Sequence, residues 1–290
     1  MRAGGIPVDD MRRFRDLKKI NKFQLLGGSA ILLGIAICSL FAPALVRYSY
    51  DLPHIDSIWA PHSPAFLLGT DGLGRDIFCR LIWGSRESLL MAMGALSVTV
   101  LIGVLLGFWC AQARGILGYL IERLADLLYA FPTIMIALLA GAVLGAGRYS
   151  IILSISLGGW PVFFRLARAL VMKLQEMLFV DAARVAGASK WHILLCHILP
   201  NMFPLIIPKM IFKVGDYIMV ESTLSFLGVG IQPPVPSWGN MIRDGLPYLR
   251  THPSLVIITS AALALTVAGF VLLGDGISDL MDPHQRKGIA

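Results

Sequence analysis

The chain has 290 residues, of which 56% are hydrophobic and only 15% charged, with a mean hydropathy of +0.72. So few charges cannot cover the surface of a water-soluble domain of this length, which leaves an all-α polytopic membrane protein. The net charge of +7 comes without aromatic–basic interleaving or a nucleic-acid-binding motif, so it reads as the basic bias of cytoplasmic loops and excludes a nucleic-acid partner.

Residues 1–22 hold seven Lys/Arg, among them Arg12, Arg13, Arg15, Lys18, Lys19 and Lys22, against three Asp. Such a cluster before a membrane span keeps the N-terminus in the cytoplasm. Residues 23–46 form an uncharged first span, long enough at about 1.5 Å per residue to cross a core of roughly 30 Å. Residues 47–87 balance acids and bases and suit an exterior loop. Within it, Leu68-Gly69-Thr70-Asp71-Gly72-Leu73-Gly74-Arg75-Asp76 predicts a tight turn, and residues 76–88 an amphipathic helix entering the bilayer. The second span covers residues 88–113, where Gly94, Gly103 and Gly107 permit close helix approach.

A short basic inner loop, residues 114–123, precedes the third span at 124–146, with Asp126 near its cytoplasmic mouth and a kink at Pro132. The fourth span begins near Tyr149 and stays uncharged to Phe164. Arg165 and Arg168 then share a face, and either reach the inner headgroups or pair with an acid. Four crossings from an inside N-terminus place residues 173–201 in the cytoplasm. The fifth span, 202–227, carries Lys209, Lys213, Asp216 and Glu221. At about 100° per residue the first three fall within an arc of roughly 60°, with Glu221 to one side. Groups at such depth face a bundle interior, a wet cavity or each other, so the face is either pore-lining or closed by an internal Lys213–Asp216 pair. Residues 226–244 form an outer segment broken by Gly228, Gly230, Pro233, Pro234 and Pro236, with Trp238 as an interfacial anchor. A sixth span follows at 254–274, then a cytoplasmic tail, 275–290, ending with Arg286 and Lys287. The chain thus divides into a basic N-terminal segment (1–22), a first span with its exterior loop (23–87), a core (88–274) and the tail (275–290).

No catalytic constellation stands out: the sequence has no GxSxG, no HExxH and no GxxxxGK[ST] phosphate loop. Its six His are dispersed, and His192 and His197, five apart, are predicted on different helical faces. The four Cys lack any CxxC or metal-ligand spacing and read as free thiols. Together these predict a chain that is not an enzyme and holds no metal or cofactor. Uphill movement of a solute through it would then need energy from another subunit. The polar stretch 181–201 is suited to receiving it. Val180, Ala182, Ala183, Ala186 and Ala188 offer a small apolar face beside Asp181, Arg184 and Lys190. Gly187 marks a turn or helix end, and Leu199-Pro200 a helix restart.

These residues carry a resemblance. Asp181-Ala182-Ala183, Gly187 and Leu199-Pro200 resemble the EAA loop of ATP-binding-cassette importer inner-membrane subunits, a pattern of Glu-Ala-Ala, three residues, Gly, nine residues, Ile, one residue and Leu-Pro. Asp181 stands for the Glu, and His197 where Ile is usual. Leu68-Gly69-Thr70-Asp71, Gly74-Arg75-Asp76 and Arg80-Leu81 look like the segment before the second span in the C-type permeases for dipeptides, oligopeptides and nickel. Residues 225–234 with Pro236-Ser237-Trp238-Gly239 look like the outer signature of that group, and Gly274-Asp275-Gly276 with Asp282-Pro283 like its closing motif. The resemblance implies six transmembrane helices in a type I importer fold, set in the bacterial cytoplasmic membrane among its lipids with both termini inside. It further implies a homologous permease as partner, two ATPases that bind ATP and Mg, and an extracytoplasmic solute-binding protein. The 178–201 loop would be the coupling helix, with Asp181, Ala182, Ala183, Arg184, Gly187, Ala188, Ser189 and Lys190 on the ATPase and Lys209, Lys213, Asp216 and Glu221 on the translocation path. Peptides are the expected cargo, with nickel or a metal chelate as the alternative. Outside the family, an ion channel or proton-coupled transporter would use Lys209, Lys213 and Asp216 as its relay.

Overall fold

The computed structural model describes residues 8–113 and 115–281, with side chains from residue 22 onward; the tail beyond 281, including Arg286 and Lys287, and Arg114 lie outside the described residues. Among the described residues, nine helices of eight residues or more form the frame: α1 (Val8–Leu40), α2 (Ile77–Cys110), α3 (Ile116–Tyr129), α4 (Thr133–Leu144), α5 (Arg148–Gln175), α6 (Leu178–Val185), α7 (Lys190–Phe226), α8 (Trp238–Gly245) and α9 (Ser254–Met281). Five of them, α1, α2, α5, α7 and α9, are long and apolar enough to cross a membrane; counting the bent pair α3 and α4 as one span makes six.

The core is built on α2 and α5. Gly103 and Gly107 bring the two backbones together: a Cβ on Gly103 would lie 2.7 Å from both the Phe163 Cβ and the Trp160 carbonyl oxygen. Ala92, Ala95 and Leu96 of α2 are buried with Ile151, Ile155 and Phe163 of α5 and with Tyr217, Ile218 and Leu224 of α7. Small residues at such contacts allow the close van der Waals packing that holds helices together in lipid. The α1 helix lies outside this group against α9, where Gly28 packs on the backbone of Gly269 and Leu273.

Three boundaries differ from the sequence reading. The second span starts at Ile77 rather than Ser88, because Asp76 caps it by accepting the Phe78 N–H at 3.1 Å, and the turns before Ser88 are buried instead of amphipathic. The third span is not a kinked rod. Its inner loop is helical from Ile116, and α3 and α4 meet at 99° across Ala130–Pro132. Pro132 has no N–H to continue the ladder and pushes Phe131 out of the helical region, so the bend is a break. Leu199-Pro200 restarts nothing: α7 runs through it.

Outside the bundle, the 47–76 loop is fastened to the segment around α8. Arg75 and Arg80 share Asp71 and Asp244, with N···O distances of 2.8, 3.4, 3.5 and 3.6 Å. The rings of Trp59 and His252 lie parallel at 4.4 Å. Ser237 and Asn240 cap α8 reciprocally. Trp238, read as an interfacial anchor, is instead 1% exposed; its Nε1–H donates to the Leu81 carbonyl at 3.2 Å, and its ring packs on Gly84. Gly84 leaves the space that draws the indole inward.

Candidate functional site

The polar stretch after α5 folds into a rigid turn. In α6, Val180 is fully buried in the cluster that holds Leu174, Ile193, Leu194 and Ile198, which fixes the short helix against the base of α7. The end of α6 is closed by backbone bonds alone: Gly187 N–H donates to Arg184 O, and Ala188 N–H to Ala183 O, both at 3.0 Å. This pair of bonds is the Schellman motif and requires a left-handed residue, supplied by Gly187 at φ +81°. Ser189 then caps α7, its Oγ accepting the His192 N–H at 3.2 Å. The two helices are thus joined with every turn residue committed to a cap.

What the turn presents outward is apolar and charged together. Leu178 and Val185 are 86% and 90% exposed and Trp191 65%. Phe179, Ala182, Ala183, Ala186 and His192 line a shallow depression beside them. Asp181, Ala182, Arg184, Ser189 and Lys190 are exposed, and Arg184 spans Asp181 at 2.9 Å. Both partners are more than half exposed, so the pair orients the side chains and adds little stability.

One expectation about this stretch fails. His192 and His197 meet edge to face with ring centroids 5.6 Å apart. Residues Ile193–Ile198 form a π-helical turn, which places residues five apart above one another. The wider turn directly precedes Pro200, whose ring would otherwise press on the carbonyl four residues back. Among the described residues, no group of three or more His, Cys, Asp or Glu is arranged to hold a metal.

Within the bundle some ionisable groups form ion pairs, while others do not. Lys213 Nζ donates to Asp216 Oδ2 at 2.9 Å. Glu221, fully buried, accepts hydrogen bonds from Ser88 and Ser225 at 2.7 and 2.8 Å and a longer one from Ser222. Arg165 pairs with Asp126 while its guanidinium lies over the Tyr129 ring, and Arg168 pairs with Glu122. Lys209 is exposed on α7 and has no acidic partner within 4 Å among the described residues. The sequence reading passed over Glu87, which holds Arg148 in a bidentate pair at 2.7 and 2.8 Å. The signal was the helical run from Ile77, which continues across the supposed boundary at Ser88 and so places Glu87 inside the span.

A bundle of membrane-crossing helices with a rigid polar turn at one end and charges along one inner helix defines a membrane transport subunit. The comparisons give the family. The chain belongs to the binding-protein-dependent transport system inner membrane components, matched over residues 103–287. It is 35% identical over 279 residues to the oligopeptide transport system permease protein OppC of Bacillus subtilis (strain 168), across 96% of this chain and 90% of that protein. It is 36% identical over 261 residues to the glutathione transport system permease protein GsiD of Pectobacterium atrosepticum, across 90% and 86%. It is 33% identical over 274 residues to the dipeptide transport system permease protein DppC of Alkalihalophilus pseudofirmus, across 94% and 90%. An inward-facing structure of the MetNI methionine ABC transporter superposes with a TM-score of 0.57 over 70% of this chain and 96% of that one, at 15% identity, a likeness of fold alone. The chain is therefore an inner-membrane permease component of an ABC importer, a class that works with ATPase and binding-protein partners.

Proposed function

We propose that this chain is one of two homologous permease subunits of a peptide importer, and that the Asp181–Lys190 turn seats on one of two ATPases. The observation that carries the reading is the doubly capped turn, which holds Leu178, Val185 and Trp191 outward on a frame that cannot swing independently of α7. ATP and Mg are bound by the ATPases, and an extracytoplasmic binding protein delivers the cargo. Both termini lie in the cytoplasm, consistent with the seven basic residues before the first span. Closure of the ATPase pair carries the turn and α7 with it. The two packings of the bundle then differ in which side the path opens to, a population shift driven by differential contact energy in each state. The peptide assignment rests on the relatives: oligopeptide, dipeptide and glutathione permeases match this chain over at least 86% of their own lengths.

The test is purification from detergent-solubilised membranes followed by reconstitution. A second permease and an ATPase are expected to co-purify, with peptide uptake dependent on ATP and the binding protein. Conduction or transport by this chain alone in liposomes, without ATP, would overturn the reading.

A further inference from the structure

A cavity of about 650 Å³ opens between α3, α5, α7 and α9, lined among others by Tyr129, Arg165, Pro204, Lys209, Phe212 and Asp279. Its volume lies within the usual range of about 300–1,000 Å³ for small-ligand sites. Arg165 is already committed to Asp126 and stacked on Tyr129. That leaves two charges of opposite sign, Lys209 and Asp279. They line the same cavity yet do not reach each other, and neither has an ion-pair partner within 4 Å among the described residues. Lys209 is exposed and Asp279 half-buried, so both charges stand on the wall of an open cavity rather than in a packed core, where they can meet a ligand. Here they come as a complementary pair held apart.

We propose that this cavity is a subsite for a short peptide with free termini, Lys209 receiving its carboxylate and Asp279 its ammonium. The inference rests on the peptide-permease reading above and adds to it the chemistry by which the membrane subunit itself engages cargo. At about 3.3–3.6 Å per residue, a di- or tripeptide separates its terminal charges by about 7–11 Å, so one molecule can bridge groups that cannot bridge each other. Pro208 has no N–H to give the carbonyl of Pro204, and both residues line the site, so the helix here carries a carbonyl without its usual intrahelical partner. Apart from Ser278 beside Asp279, the remaining lining, including Val162, Leu166, Leu205 and Phe212, is apolar and without directional demands. Such a site reads the termini common to all short peptides and tolerates their side chains.

The test uses the purified complex of this chain with its permease and ATPase partners, in nanodiscs and without binding protein, so that cargo selection by that protein cannot intervene. Binding of Ala-Ala, Ala-Ala amide and N-acetyl-Ala-Ala is followed by thermal shift. The wild-type complex is expected to bind Ala-Ala about 10- to 100-fold more tightly than either capped form. Lys209→Gln should abolish discrimination against the amide but retain it against the acetylated peptide, and Asp279→Asn the reverse. Equal binding of all three peptides by the wild type, or discrimination unchanged in both variants, would overturn the proposal. Stabilisation by phosphatidylethanolamine with no response to peptide would also overturn it, assigning the charge pair to a zwitterionic headgroup. Uptake by the complete transporter with its binding protein is measured in parallel. Loss of all peptide uptake in the wild type refutes the peptide-importer reading, whereas normal uptake with an unselective cavity refutes only the subsite.

Discussion

A residue with a Cβ in the left-handed region costs about 1–2 kcal/mol, and at Gly187, φ +81°, that cost falls on the turn alone because nothing lies within 4 Å of an added Cβ. Gly187→Val is therefore expected to leave the protein inserted in the membrane while lowering ATPase co-purification about 10-fold. Gly187→Asn, which tolerates this conformation, should retain most of it. Equal recovery of the ATPase with both variants would separate the turn from docking. Glu221 makes a second case. Glu221→Gln keeps an acceptor for Ser88 and Ser225, whereas Glu221→Leu keeps the bulk but strips it away, at an expected cost of about 2 kcal/mol in detergent unfolding. At this scale the sequence was half legible. Helical angles separated Glu221 from the Lys209–Asp216 arc and left a Lys213–Asp216 pair as one of two readings, the one that forms. Ser88, 133 residues away from Glu221, could not be found by any local pattern.

Between elements, backbone proximity decides. Gly103→Leu would drive a side chain into Phe163 and the Trp160 carbonyl, and is expected to prevent the α2–α5 contact and sharply reduce the folded yield in fluorescence-detected size exclusion. Gly34→Leu on the outer face of α1, where nothing lies within 4 Å, should be neutral in the same assay. The glycines of the second span permitted a close approach, but the partner helix came only from the structure. Hydropathy alone marked four spans, because apolar length is a property of the segment itself; the two polar ones were reached by counting crossings. It misplaced the breaks, since a proline announces a lost N–H but not what the neighbouring chain does about it. At Pro132 the helix snaps to 99°, while Pro200, Pro204 and Pro208 are all absorbed inside α7 behind one π turn. Trp238 was misread for a related reason: its fate depends on Gly84, in another part of the chain.

For the whole molecule, the Arg75–Arg80–Asp71–Asp244 cluster ties the 47–76 loop to the segment that follows α7. Asp244→Asn would leave two largely buried guanidinium groups sharing one carboxylate. It is expected to cost about 3 kcal/mol or more, and to expose the 47–76 loop to protease in right-side-out vesicles. The continuity of α7 has a mechanical consequence. One helix of 37 residues begins at the Asp181–Lys190 turn, passes Lys209, is bonded to α2 through Glu221, and ends at the segment before α8. Its prolines and its π turn all lie before residue 209, so bending compliance is concentrated in the inner part while the outer part is stiff. From Lys209 to Phe226 that stiff arm is about 26 Å long at 1.5 Å per residue, and a tilt of about 10° would carry its far end by about 4–5 Å. The inner section acts as a flexure, converting a small displacement at the turn into a stroke at the opposite face comparable to the width of a peptide backbone.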